Sequence, residues 1–550
     1  MNNDRLRNVL IGLSVVLVLG FVVIKNSDKI FSKKSADKGK TEPRININNN
    51  IGDGNSQYGV TSVNTLVSEV GMKTLEDGGN AVDAAVAMSF ALNVIDPQNS
   101  GIGGGGGMLI KDGITDQKVF YDYYISSGDV ETDVDIGIPG FLKGMELINE
   151  EMGNKKLSDL IQYAIDIGEE GVEVTKGYEE TLNEYDRIFS IHPSFTKDGR
   201  GLVEGDLLYQ PELIETLKEV RDNGVDIFYN GEHEISKNFL ELTGISKESL
   251  NNYEVHKYDP LEIDYRGYKV MAPPAPFSGL TLLQSLLIEE EVDIPKQDFG
   301  DIDYNNDMQD ILVLTGKEGR ETIADPEFTD INYDEELDID YLMDKFEEGT
   351  EDEEDYEDPE SVTTTAFSVI DKDGTIVSAT NTISNYWGSY IVSDGIIYNN
   401  AMKNFTTGKN KFEYNKRPKT GITPVIITND NSHKETLGTS GGAKIPAYLF
   451  KTIVNTKKDD MDVQLANDME RMYYFKRQMY FEGNAPESIN ENGVVNFEDD
   501  YTEYDSSDAW GQMTGLEIKD NGEIKGHTDK RSYFNGGAVY YNGSEIIYNE

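Results

Sequence analysis

Between Asp334 and Glu360 the chain is overwhelmingly acidic, with Lys345 its only basic residue and Glu351-Asp352-Glu353-Glu354-Asp355 at its centre. Like charges at this density repel one another and stay solvated, so residues 334–361 read as an acidic loop rather than as part of a core. No EF-hand spacing, with its glycine and terminal glutamate, is present to make it a calcium site. Immediately after it, Val362-Thr363-Thr364-Thr365-Ala366-Phe367-Ser368-Val369-Ile370-Asp371 opens a strand pattern. A threonine at such a junction can be freed by chain cleavage and then holds nucleophile and base in one residue. Its hydroxyl attacks and its own new α-amine takes the proton. Threonine pairs are also ordinary β-strand sequence, so the run needs company before it means chemistry.

Bulk properties narrow the field. The chain has 550 residues, of which 37% are hydrophobic, enough for a large core. A net charge of −52 argues against nucleic acid and anionic membrane surfaces as partners. The chain has no cysteine, so disulfides, thiolate metal sites and a cysteine nucleophile are excluded. Five histidines without close clustering argue against a zinc enzyme.

At the N-terminus, Arg5 and Arg7 precede an apolar run from Val9 to Ile24 that spans roughly 24 Å as a helix. No A-x-A-like cleavage site follows, and residues 1–30 read as an uncleaved signal anchor, a transmembrane helix. Residues 31–56, rich in Lys, Asn, Gly and Ser, read as a tether. The lysines after the span outnumber the arginines before it, so charge alone does not set orientation. The acidic, cysteine-free remainder fits an extracytoplasmic, membrane-anchored protein.

A globular pattern begins near Tyr58. Leu66, Val70 and Leu75 mark a helix stopped at Gly78-Gly79, and Asn80 caps the next, Ala81 to Val94, ended by Asp96-Pro97. Ser100 to Gly107 leads into a strand at Met108-Leu109-Ile110 and lacks the GK[ST] of a phosphate cradle, so it reads as close packing. Helical spacing runs from Phe141 to Asn183, from Pro211 to Asn223 and from Leu280 to Ile288. Asp371-Lys372-Asp373-Gly374 is a hairpin turn between Ala366–Ile370 and Ile376–Thr380.

Four segments in order, Gly78–Leu109, Met271–Gly279 (MAPPAPFSG), Thr364–Thr382 (TTAFSVIDKDGTIVSATNT) and Leu437–Ile445 (LGTSGGAKI), resemble the γ-glutamyltransferase family. The resemblance covers nearly everything from Tyr58 onward. It implies an α+β fold, the four-layer αββα sandwich of N-terminal-nucleophile hydrolases, and self-cleavage into a large part (57–363) and a small part (364–550) that remain together as a heterodimer. It places the nucleophile at Thr364, with Thr363 and Thr365 one residue away on either side. Thr382 matches a second threonine that hydrogen-bonds the nucleophile, and Gly441-Gly442 match the pair that stabilises the oxyanion. The family transfers a γ-glutamyl group to water or an amine and calls for no metal or organic cofactor.

The glutamate pocket departs from the family pattern. Tyr123 or Tyr124 stands where the family has an arginine for the α-carboxylate, and Asn404 stands where it has an acid for the α-amine. Ser384 replaces an asparagine, and Thr420-Gly421 a serine pair. A tyrosine hydroxyl does not replace a bidentate guanidinium–carboxylate contact. The substitutions therefore point away from a free glutamate head group and towards γ-glutamyl polymers, with Lys416, Arg417 and Lys419 as candidate positive charge. Two other readings fit these departures: an amidase or acylase with another acyl specificity, and a non-catalytic surface-anchored binding protein that keeps the fold.

Overall fold

In the computed structural model the described residues are 45, 47, 57–184, 192–298, 301–349, 362–475, 478–482, 510–531 and 535–549. The N-terminal span and most of the tether lie outside them. Among the described residues no helix is long and apolar enough to cross a membrane.

Two antiparallel sheets form the centre. The first has eight strands in the spatial order Ile546–Asn549 (β14), Gly537–Tyr541 (β13), Tyr58–Ser62 (β1), Val362–Ile370 (β7), Ile376–Asn385 (β8), Gly105–Lys111 (β2), Lys118–Asp122 (β3) and His256–Tyr258 (β4). The second has six: Ile524–His527 (β12), Met513–Ile518 (β11), Lys434–Thr439 (β10), Val425–Thr428 (β9), Tyr268–Ala272 (β6) and Leu261–Tyr265 (β5). Their facing surfaces share a core of Leu109, Phe120, Ile370, Met271, Ile426 and Leu516, all fully buried. Antiparallel strands normally leave one face to water. Here helices cover both outer faces and produce the expected helix–sheet–sheet–helix layering.

Over the first sheet lie Thr65–Glu76 (α1), Ala81–Ile95 (α2), Phe141–Met152 (α3), Leu157–Glu170 (α4) and Pro211–Asn223 (α5). The α2 helix starts on a reciprocal capping box between Asn80 and Asp83, and its alanine-rich length is buried throughout. The helical stretch from Phe141 is broken after Met152 and Glu170, where Gly153 and Gly171 follow the two helices.

Over the second sheet lie Gly279–Val292 (α6), Ile302–Thr322 (α7), Ile339–Glu348 (α8) and Ile445–Lys457 (α9). Part of the acidic stretch thus departs from the solvated loop expected of it. In α8 the carboxylates point outward, while Leu342 is buried and Tyr341, Met343 and Phe346 pack against the core of the second sheet. An apolar stripe of this kind folds a helix despite its charge. Residues 350–361 lie outside the described residues.

Candidate active site

The β7–β8 hairpin carries the first part of the site. Its turn is closed by Asp371, whose carboxylate accepts the Asp373 and Thr375 N–H groups at 3.0 and 2.9 Å. From that end the strands pair in regular register as far as Thr365↔Asn381, and then Thr363 pairs with Ser384. One residue, Thr364, therefore opposes two, Thr382 and Ile383. A bulge of this kind re-aims a side chain and relaxes the ladder where it sits.

Two of the three adjoining threonines, Thr364 and Thr365, differ in what holds them. The Thr365 hydroxyl donates to the carboxylate of Asp96, just past the end of α2. Thr364 is only 3% exposed, and its hydroxyl has no hydrogen-bond partner. A buried unpartnered hydroxyl is costly, so such an atom calls for a functional explanation. The Thr363 side chain lies outside the described residues. Asp96 is itself buried and accepts the Asn99 side-chain amide at 2.9 Å. Burial pushes its carboxyl up to about 7, against the opposing hydrogen bonds from Thr365 and Asn99.

Thr382 sits opposite Thr364, but no hydrogen bond joins their hydroxyls in this uninterrupted chain. The Thr382 hydroxyl accepts the Ser384 N–H at 2.8 Å instead. This contact holds Ser384 in a left-handed conformation, φ 81°. Behind Thr382, the glycine run packs as a backbone wall: a Cβ on Gly104 would lie 2.1 Å from the Thr382 carbonyl oxygen. This is the close approach read from residues 100–107.

Ser384, Asn404, Tyr124 and Thr420 form one buried polar cluster. The Asn404 amide donates to Ser384 Oγ at 3.2 Å and to the Tyr124 hydroxyl at 3.0 Å. Thr420 bonds the same tyrosine oxygen, and burial pushes the Tyr124 hydroxyl up to about 12. Tyr123 faces the other way and donates to Asn381 Oδ1 at 2.7 Å. Of the two tyrosines weighed for the arginine's place, Tyr124 is the one that meets Asn404. All four cluster members are neutral at pH 7.

Gly421 leads from this cluster to the remaining pair. A Cβ on Gly421 would lie 2.0 Å from the Gly442 carbonyl oxygen, so the two segments interlock through bare backbone. Gly441 and Gly442 have φ of 132° and 60°, open to glycine and strained for other residues. The single turn Gly442–Lys444 that follows packs on β7 and leads into α9. The eight residues singled out in the sequence thus come to one region, at the bulged end of the β7–β8 hairpin.

Two of the candidate cations are committed elsewhere. Lys416 is buried and donates to the Lys409 carbonyl at 2.7 Å and to Glu413 Oε1 at 3.0 Å. Arg417 is buried with its Nε 3.4 Å from Asp122 Oδ2 and a guanidinium N–H donating to the Glu254 carbonyl, and its backbone N–H donates to Asp325 Oδ2 at 2.7 Å. Both serve as internal struts, which corrects their reading as substrate charges. Among the described residues the Lys419 ammonium has no such partner. One group among the described residues could hold a metal ion: His433, Glu435 and Glu517, at the second sheet. It encloses the Lys457 ammonium, which bonds Glu435 and lies 3.3 Å from His433 Nε2.

A buried threonine hydroxyl without a partner, beside a glycine turn and a neutral polar pocket, is equipped for acyl transfer from an amide. Comparison with known proteins agrees with this class. The model of the gamma-glutamyltranspeptidase family matches residues 67–539, and the chain belongs to that family of enzymes. It is 34% identical over 403 residues to the capsule biosynthesis protein CapD proenzyme of Bacillus anthracis, covering 71% of this chain and 74% of the relative. It is 30% identical over 486 residues to the glutathione hydrolase proenzyme of Bacillus subtilis strain 168, covering 78% and 83%. A cephalosporin acylase from Bacillus halodurans has the same fold, with a TM-score of 0.76 at 21% identity over 91% of this chain and 98% of that one.

Proposed function

We propose that this enzyme is a self-processing γ-glutamyl transferase or hydrolase whose nucleophile is Thr364. The reading rests on one observation above the others. Of the two adjoining threonines whose side chains are described, Thr365 is bonded to Asp96, while the Thr364 hydroxyl is buried and unbonded at a bulge.

Processing begins with attack of Thr364 Oγ1 on the Thr363 carbonyl carbon. The peptide C–N bond breaks as an ester forms, which frees the Thr364 α-amine, and water then cleaves the ester to release the Thr363 carboxylate and restore the Thr364 hydroxyl. A neutral α-amine has a reference pKa near 7.7–8.0, which suits a base at neutral pH. It takes the hydroxyl proton as Oγ1 attacks the γ-carbonyl of the substrate. Backbone N–H groups of Gly441 and Gly442 stabilise the oxyanion. The amine leaves with the proton, and water or a second amine resolves the acyl-enzyme. Thr382 orients the nucleophile once the new terminus is free. After cutting, β1 of the large part would remain paired on both sides with strands of the small part, β7 and β13, which keeps the heterodimer together.

Ser384, Asn404, Thr420 and Gly421 line the acyl pocket. Their neutrality, with Asn404 in place of an acid, disfavours a substrate with a free α-ammonium group, such as glutathione. It favours a γ-glutamyl unit whose α-amine is already in an amide, as in a γ-linked polyglutamate. The same neutrality supports a second reading, an amidase for another uncharged acyl group. We place the enzyme outside the cytoplasm, held by its N-terminal segment.

The test is turnover of a γ-glutamyl anilide and of γ-linked polyglutamate by the wild type and by Thr364→Ala. Release of amine by the wild type alone, with an acyl-enzyme mass on the fragment bearing Thr364, is the expected result. Equal turnover by Thr364→Ala would remove Thr364 from the chemistry.

A further inference from the structure

Within a chain of net charge −52, the segment from Lys403 to Lys419 reverses sign. It carries Lys403, Lys409, Lys411, Lys416, Arg417 and Lys419 against the single acid Glu413. Lys416 and Arg417 are internal struts, as described above. Lys403, Lys409 and Lys411 are exposed and Lys419 is partly buried. None of these four forms an ion pair among the described residues, although Asp and Glu outnumber Lys and Arg by 101 to 49 in the chain. Lys409 and Lys411 act on Glu336 and Glu413 without closing an ion pair, and the fold fixes where these cations stand.

One buried side chain does much of that holding. Asn410 donates from Nδ2 to the Asn404 carbonyl at 2.8 Å and to Thr406 Oγ1 at 3.1 Å, while its Oδ1 accepts the Lys419 N–H at 2.8 Å. The turn carrying Lys403, the turn carrying Lys409 and the segment carrying Lys419 are thereby fixed together. Two of the three adjoin a member of the acyl pocket: Lys403 precedes Asn404 and Lys419 precedes Thr420. The Lys416 ammonium adds a second clamp on the Lys409 carbonyl. Around Lys419 the environment is already short of anions, since burial and the nearby Arg320 of α7 push its ammonium down to about 8.

We propose that Lys403, Lys409, Lys411 and Lys419 form a strip that binds successive carboxylates of a polyanionic acyl chain as it leaves the Thr364 pocket. This inference rests on the γ-glutamyl reading above and narrows it to polymers. The pocket receives one unit whose α-amine is already in an amide, while the carboxylates of the remaining units are met along the strip. A local basic surface also answers how a strongly acidic protein captures an acidic polymer, because focused local charge governs encounter where distant repulsion is screened.

The test compares the wild type with the triple variant Lys403→Gln, Lys409→Gln, Lys411→Gln, whose altered side chains are all exposed. Each is assayed on γ-linked polyglutamate and on γ-glutamyl anilide across a range of sodium chloride concentrations. The ratio of kcat/KM for polymer to that for anilide should fall about tenfold in the variant, and the salt dependence of polymer cleavage should flatten. An unchanged ratio and salt slope would overturn the strip. A wild type that cleaves the anilide but not the polymer overturns the strip and leaves the γ-glutamyl reading standing. A wild type that cleaves neither removes both.

Discussion

Single atoms separate Thr364 from the threonines beside it. Composition and periodicity leave three adjoining candidates, and the resemblance places the nucleophile at Thr364. In the structure Thr365 is set apart from it by Asp96, a residue read along the chain only as the end of a helix, which takes the Thr365 hydroxyl. That pairing spans more than two hundred residues and leaves no local spacing by which to find it. It does predict a pH effect. With its carboxyl near 7 in the folded chain against an ordinary 3.8, Asp96 keeps a proton that the unfolded chain loses between those values. Its contribution therefore weakens folding as pH rises through that window, by up to about 4 kcal/mol. Asp96→Asn should lose less stability than the wild type between pH 5 and pH 8 in thermal denaturation. Identical pH profiles would show that the carboxyl is not perturbed in this way.

Elements announced by caps and turns were legible from sequence, and those hidden by charge were not. The Asn80 cap, the Asp371–Gly374 turn and the proline opening α5 each mark a boundary where the backbone changes course. The long α7 helix went unread because acids mask its stripe of Tyr304, Met308 and Ile311, and α8 for the same reason. Site assembly at this scale depends on segments interlocking without side chains. Gly421→Ala should push the Gly442 turn away from β7 and lower kcat at least tenfold, roughly the effect of a small misplacement, with the fold retained by circular dichroism. Undiminished kcat would mean that the turn tolerates the shift. The Arg417 strut ties its segment to Asp122 at the end of β3. Arg417→Met should cost about 3–5 kcal/mol at pH 8 and less at pH 5. Burial already pushes the Asp122 carboxyl up to about 6, and without the guanidinium it rises further, so acid neutralises the stranded charge while alkali does not. Equal losses at both pH values in urea denaturation would contradict that account.

For the whole molecule, the four layers were legible only through the resemblance, because local spacing gives strands and helices but not the order in which strands meet. The order matters here: β7 lies between β1 and β8, so the strand that begins at the acidic boundary is central to the first sheet. Cutting before Thr364 would free a terminus at the end of an interior strand, where packing on both faces holds it in place. The proposed site would then be built from a chain end that the uncut molecule does not have. The direct test is intact mass and N-terminal sequencing of the purified protein, produced from about Asn50 onward, after prolonged incubation. The account predicts two fragments that stay together until denatured, the smaller beginning Thr364-Thr365-Ala366-Phe367. A single uncut chain, or a new terminus at any other residue, would contradict it.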